Sequence, residues 1–412
     1  MYFFYNILTN LILIISPLVF VFRIFKSKED PKRFLEKFCV YSRKSIKNKV
    51  WIHAASVGEL MSIIPIIKKL EKDKKINSII ITTTTTSSAK LFKRHKFKKT
   101  FHIYFPIDNS YLTLRFIKYW QPQLAIFVDS EIWPNMLKNL EINKVPIIIL
   151  NARITKKTLN KWQIFPKFGK EVFSKISLAL SSNLETIKYL KLLNVKNIKT
   201  AGNLKYYGEK KITDNTDEFL KKKFKNHKIW CAASTHENEE LFIGKLHQNL
   251  KKKYKKLITI IIPRHINRTS KIIDEMRYLG LKTIVHSSNQ KPKTDTDIYL
   301  VNSYGLSSKF YNLSNVTFMG GSLIKHGGQN PLEPARLGNF IINGPNVDNF
   351  KEIYSFLSKN KISSTTSSMS KMSQIIIKRI DQKNNKENII KIRKMGNRIL
   401  DKNLYYITKY LI

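Results

Sequence analysis

Cysteine is nearly absent: two residues in 412, Cys39 and Cys231, far apart and flanked by no metal-ligand spacing. This excludes a disulfide-built secreted domain and fits a reduced, cytosol-facing compartment. Acidic residues are scarce too, 29 Asp+Glu against 74 Lys+Arg, giving a formal charge of +45. Such a field attracts polyanions: nucleic acid, an anionic membrane or a phosphorylated substrate. The chain is also rich in Lys, Asn and Ile throughout, so many lysines belong on solvated faces whatever the function. No G-x-x-x-x-G-K-[ST] loop is present, which argues against a P-loop ATPase, and the nucleophile elbow G-x-S-x-G and the H-E-x-x-H zinc motif are missing. Solenoid repeats are not visible.

Charge is absent from Met1 to Phe22, and Leu11 to Phe22 is apolar apart from Ser16 and Pro17. About 20 residues span a bilayer as a helix. Arg23, Lys26, Lys28, Lys32 and Arg33 follow at once and predict that the rest of the chain stays cytoplasmic. No small-residue cleavage site closes the run, so a retained anchor over 1–24 is expected, crossing the bilayer or lying in its interface.

Beyond the anchor, short apolar runs alternate with amphipathic stretches, the pattern of βαβ units and parallel sheets. Strands are expected at Val50–Ala54, Ser78–Thr83, Phe101–Phe105, Leu124–Val128, Val145–Leu150 and Ile176–Leu180. The Thr82–Thr86 run reads as a strand end passing into a helix capped by Ser87 or Ser88. A lysine-rich polar stretch, Gly208–Lys228, marks a domain boundary. A second series follows at Ile229–Ala233, Leu257–Ile262, Ile298–Val301, Val316–Met319 and Asn339–Asn343, and the last ~25 residues read as one lysine-studded helix. The expected organisation is an anchor at 1–24, Rossmann-like doubly wound domains at 25–207 and 208–385, and a C-terminal helix at 386–412. Ligands of such sheets bind at the carboxyl ends of the strands, here facing a cleft between the domains.

Several residues stand at strand ends. Glu59, in His53–Leu60 (HAASVGEL), is placed to act as a general base, or else completes a Ser56-x-x-Glu59 capping box. In Gly320–Pro334 (GGSLIKHGGQNPLEP), four glycines permit close approach to a phosphate. Asn330, Pro331 at a first helical position and Glu333 mark a helix start that favours an anion, or a plain helix cap. Arg264, past Leu257–Ile262, can grip a phosphate or carboxylate, and Lys205 is a similar candidate. Glu131, in VDSEIWPN, offers a second acidic group or a cap. Asp295-Thr296-Asp297 has the D-x-D form of manganese-dependent sugar transferases but precedes a strand instead of following one. No metal is expected.

HAASVGEL, SEIWPN, NARIT, AGNLK, ASTHENEE, PRH and GGSLIKHGGQNPLEPA, in this order, resemble the Kdo (3-deoxy-D-manno-octulosonic acid) transferases of lipopolysaccharide synthesis. The resemblance runs from the anchor to about Phe350. It implies a two-domain GT-B-type glycosyltransferase fold, CMP-Kdo as donor, a tetraacylated lipid A precursor (lipid IVA) as acceptor, inversion, no cofactor and no bound metal. It also implies attachment to the cytoplasmic face of the inner membrane, among anionic lipids. By motif, Glu59 matches the family's proton acceptor, and Glu131 and Lys205 match groups that stabilise the transition state. Pro263 with Arg264, Tyr304-Gly305-Leu306, and Asn330-Pro331-Leu332-Glu333 match segments that contact CMP. Five positions depart from the pattern: Gln329 stands for a usual His, Ile266-Asn267 for Pro-Glu, Leu306 for an acidic residue and Asn302 for Asp. The lysines are dispersed and no nucleic-acid module is legible, so a nucleic-acid partner is not expected.

Overall fold

In the computed structural model, residues 1–411 are described except 47–48, 209–220, 223, 289–291, 294 and 383–385, so most of the Gly208–Lys228 boundary stretch lies outside the described residues. The chain forms two compact units, Met1–Tyr207 with Gly396–Ile412, and Gly208–Met395.

Seven parallel strands make the first sheet: β1 (Lys49–His53), β2 (Ser78–Thr83), β3 (Thr100–Tyr104), β4 (Leu124–Val128), β5 (Ile147–Ala152), β6 (Leu178–Ser181) and β7 (Ile198–Thr200). Their order is β3-β2-β1-β4-β5-β6-β7. Parallel strands covered on both faces read as unbroken apolar runs, and Leu124-Ala125-Ile126-Phe127-Val128 is buried at every position. Helices α1 (Tyr2–Phe25), α2 (Val57–Leu70), α3 (Thr86–Lys93), α4 (Ser110–Trp120), α5 (Pro134–Ile142), α6 (Lys156–Gln163), α7 (Pro166–Phe173) and α8 (Leu184–Leu192) flank it. The core gathers around Trp51, fully buried among Phe105, Phe116 and Phe127, with its indole N–H donated to Thr82 Oγ1 at 2.9 Å. Helix α3 begins earlier than the sequence suggested: Thr85, not Ser87 or Ser88, caps it by accepting from the Ser88 amide at 3.2 Å.

The second sheet holds β8 (Lys228–Thr235), β9 (Leu257–Pro263), β10 (Thr283–Val285), β11 (Ile298–Leu300), β12 (Val316–Met319), β13 (Phe340–Asn343) and β14 (Ser363–Thr365). It is again wholly parallel, in the order β10-β11-β9-β8-β12-β13-β14. Trp230, Phe318 and Ile342 anchor its core. The final helix, Lys386–Thr408, starts in this unit and ends in the first. Gly396 lets it close on the first unit, since a Cβ there would lie 2.7 Å from the Tyr206 carbonyl oxygen.

Both sheets reverse direction beside their first strand, β1 lying between β2 and β4, and β8 between β9 and β12. At such switch points neighbouring loops part to opposite faces and leave a crevice at the strand carboxyl ends. The fold therefore marks two places for chemistry: the ends of β1 and β4, and the ends of β8 and β12.

Candidate functional site

At the β1–β4 switch point Glu59 sits in the first turn of α2. Its two carboxylate oxygens accept the Ala55 amide and the Ser56 hydroxyl, each at 2.8 Å, while Ser56 Oγ accepts the Glu59 amide at 3.3 Å. This is a variant of the capping box, in which the carboxylate takes the amide of Ala55, one residue before the cap, in place of that of Ser56 itself. It does not exhaust the group, because each oxygen accepts one bond and retains a further lone pair. The side chain is half-buried. Burial pushes its pKa above the ordinary value of 4.5, opposed by the Ser56 bond and reinforced by the charges of Glu131 and Asp129.

Glu131 follows β4. Its Oε2 accepts the Trp133 indole N–H at 3.0 Å and lies 3.4 Å from Nε2 of the fully buried His53. That second approach falls outside hydrogen-bond geometry. The imidazole stacks on Phe105 with centroids 3.9 Å apart, and its Nδ1 meets Thr82 Oγ1 at 2.9 Å. Asp129 holds a left-handed backbone, φ 64°, where strand gives way to loop. Such conformations cost about 1–3 kcal/mol and concentrate at functional sites. Burial raises the Asp129 pKa against the pull of Lys205 and Arg153. Lys205 lies in a turn, Leu204–Tyr206, that packs on α2 and is tied to β5 by the Leu204 amide donating to Asn151 Oδ1 at 2.9 Å. The fold therefore gathers the predicted Glu59, Glu131 and Lys205 into one cluster. It adds His53, Asp129 and Arg153, which sequence reasoning passed over although His53 and Asp129 stand in the same two motifs.

The β8–β12 switch point has the opposite chemistry. Pro263 closes β9 and Arg264 follows, exposed, with its amide bonded to the Thr235 carbonyl at 3.0 Å. Around it stand three imidazoles: His236 lies 4.1 Å, centroid to centroid, from His326 and 5.8 Å from His265. Burial, then the charges of His326, His265, Arg264 and Arg268, lower the His236 pKa to about 4, so this ring is neutral at pH 7. Gln329, standing for the family's usual His, places its Nε2 3.1 Å from His236 Nε2. Arg268 is engaged by the buried Glu240 at 2.8 Å. The imidazoles lay legible in ASTHENEE, PRH and IKHGG, but none has ligand spacing to single it out.

Glycine loop Gly320-Gly321-Ser322 is used differently from the expectation of a phosphate cradle. Its amides point at Glu239: Gly321 donates at 2.7 Å, Ser322 and Leu323 at 3.0 Å each, and His236 adds a fourth amide at 3.0 Å. Glu239 is 1% exposed. Gly320 is needed for contact within the fold, since a Cβ there would fall 2.4 Å from the Ser234 carbonyl oxygen. The helix after Asn330 also differs. Pro331 is its cap and not its first residue, and the helix is a single short run, Leu332–Arg336, with little dipole to offer. Asn330 Oδ1 accepts the Leu332 amide at 3.1 Å. Leu332 is fully buried and can present only backbone, whereas Glu333 is exposed. Tyr304-Gly305-Leu306 forms the turn after β11, with Tyr304 exposed and Gly305 at φ 82°. Among the described residues no hydrogen bond or ring contact joins this turn to the histidine cluster.

Asp297, of the D-x-D triplet, is buried and serves the fold. Burial raises its carboxyl, but bonds from His247, Lys251 and the Lys282 amide outweigh that and hold it at about 2. Among the described residues no group of three or more His, Cys, Asp or Glu side chains is arranged to hold a metal ion.

Comparison with known proteins agrees with these motifs. A family model described as 3-deoxy-D-manno-octulosonic-acid transferase (kdotransferase) matches residues 32–207. The 3-deoxy-D-manno-octulosonic acid transferase of Haemophilus influenzae is 32% identical over 363 residues, 85% of this chain and 84% of that protein. Its namesake in Rickettsia bellii is 30% identical over 415 residues, 98% and 99% of the two chains. Among solved structures, a glycosyltransferase of Rickettsia africae superposes with a TM-score of 0.54 at 13% identity, covering 90% of this chain and 99% of that one. That last likeness is one of fold, the two-domain GT-B type.

Proposed function

Since the chain belongs to the Kdo transferase family of glycosyltransferases, we propose that it moves Kdo from CMP-Kdo onto lipid IVA, with inversion and without a metal ion. The acceptor hydroxyl oxygen attacks the anomeric carbon of the donor, the bond from that carbon to the CMP phosphate oxygen breaks, and CMP leaves with the electron pair. Glu59 takes the proton that the hydroxyl gives up. Its half-burial and its carboxylate neighbours raise its pKa towards the working pH, which favours proton abstraction, while the capping box fixes its rotamer. This poised carboxylate at the β1–β4 switch point is the observation that carries the reading.

The remaining groups supply binding and charge. Arg264 provides the positive charge that a departing phosphate needs, the imidazoles beside it can offer ring N–H donors, and Lys205 offsets charge near the carboxylates. These fixed cations replace a divalent ion in the proposal, so EDTA leaves the rate unchanged. In this reading α1, a helix long and apolar enough to cross a bilayer, attaches the enzyme to the cytoplasmic face of the inner membrane, beside its lipid substrate. A transfer assay with CMP-Kdo and lipid IVA tests the whole scheme. Glu59→Gln is expected to lower turnover by about 10²- to 10⁴-fold with CMP binding retained; native turnover by this variant removes Glu59 from its role.

A further inference from the structure

Helix α1 has two different sides. Phe4, Leu8, Leu11, Ile15, Leu18 and Phe22, spaced alternately by three and four, form an exposed apolar stripe. The opposite side is fastened to the first unit from end to end. Tyr2 packs edge-on against Phe168, Tyr5 donates its hydroxyl to Asp108 at 2.7 Å, Asn10 accepts from Asn109 at 2.6 Å, and Arg23 pairs with Glu29 at 3.1 Å. Asp108 in turn accepts the Asn135 and Met136 amides at 3.2 and 2.8 Å, so α1 is coupled to the start of α5, directly after Glu131 and Trp133.

Between α1 and the segment after β3 lies a cavity of about 240 Å³, lined by Thr9 and Ile12 from the helix and by Lys37, Phe105, Ile107 and Trp133 from the unit. The polar groups on its wall are already engaged. Both Lys37 contacts to Glu29 are 2.9 Å, the Thr9 hydroxyl donates to the Asn6 carbonyl at 3.1 Å, and the Trp133 N–H is given to Glu131 at 3.0 Å. Tyr5, Asp108 and Thr84 also line it, the Tyr5 hydroxyl donating to Asp108 at 2.7 Å and the Thr84 hydroxyl to the Ala55 carbonyl at 2.9 Å. A mostly apolar wall whose side-chain donors are engaged suits hydrocarbon better than water or a polar ligand. Ile12 both lines the cavity and is 47% exposed, which connects it to the apolar side of the helix. Phe105 stacks on His53 and Trp133 bonds Glu131, so the cavity's inner end is one ring away from the carboxylate cluster.

We propose that this cavity takes one acyl chain of the lipid acceptor, so that α1 is a wall of the acceptor site as well as an anchor. The assignment rests on the lipid-acceptor reading above. Continuity decides the occupant: one end reaches the membrane-facing side of α1, and the other backs onto the groups proposed to handle the acceptor hydroxyl.

Ile12→Trp narrows the mouth without touching the proposed catalytic groups, and Ile12→Leu is its conservative control. In detergent-solubilised full-length enzyme, Ile12→Trp is expected to raise the KM for lipid IVA about tenfold, the loss of roughly two buried methylenes. The KM for CMP-Kdo and the thermal stabilisation by CMP should stay at native values, and Ile12→Leu should behave as the native enzyme. An unchanged lipid IVA KM, or a parallel rise in both KM values, overturns the proposal. So does an unchanged KM accompanied by lost stimulation by phospholipid vesicles, which would assign the cavity to a bulk lipid. Absence of transfer by the native enzyme would instead refute the acceptor reading, and this assignment with it.

Discussion

Glu59 and Glu239 occupy the same place in two similar sheets, each in the first turn of the helix that follows the first strand of its unit, and they do opposite work. Glu239 is sealed in and surrounded by four amide donors, joining the end of β8 to the loop after β12. Glu59 accepts one amide and one hydroxyl, remains half-exposed, and has Glu131 and Asp129 for neighbours. The difference extends to the two switch points. One collects carboxylates, the other imidazoles and arginines, in keeping with the proposed division of labour between a proton acceptor and an anion binder. Topology fixes where chemistry can occur, and the number of donors around a carboxylate decides whether it is reactive or structural.

The same isosteric change separates the two roles. Glu239→Gln sets an NH2 against amides that are themselves donors, and should cost on the order of 3 kcal/mol of stability, read as a lower urea midpoint with CMP binding lost. Glu59→Gln keeps one acceptor oxygen for the capping box, so its stability loss should stay near or below about 1 kcal/mol. A stability loss at Glu59 as large as at Glu239 would erase the distinction.

Smaller effects sharpen the basic half. Arg264→Ala should raise the KM for CMP-Kdo by about 10- to 100-fold with little change in kcat, the size expected for a lost charged hydrogen bond. The neutral His236 adds a mild pH dependence. Its folded pKa, about 4, lies below the ordinary 6.5, so between those values the unfolded chain takes up a proton that the native state refuses. Its share of stability is therefore complete above pH 6.5 and declines as pH falls towards 4. His236→Gln should flatten that slope in thermal melts across the window.

Much of the framework was legible because parallel strands are unbroken apolar runs: eleven expected strands correspond to β1–β6, β8, β9 and β11–β13. The three-residue edge strands β7, β10 and β14 carried no such signal, the last being Ser363-Ser364-Thr365, and only pairing with a neighbour defines them. At α3 a run of hydroxyl residues offered several caps, and backbone geometry selected Thr85. Glu59 and Glu131 could be placed because each follows within a few residues of a strand's carboxyl end. The role of the glycine loop could not be foreseen, since its amides are occupied by Glu239, more than 80 residues earlier in the chain. The imidazoles around Arg264 come together from three separate loops, which spacing along the chain does not reveal.

The central claim is that the Glu59 carboxylate takes the proton, and the pH dependence of kcat/KM tests it most directly. In the native enzyme the acid limb should be centred above 4.5, the ordinary carboxyl value, because burial and like charges raise this group. In the residual activity of Glu59→Gln that limb should vanish. If the variant keeps the limb at the same midpoint, the proton goes to another group.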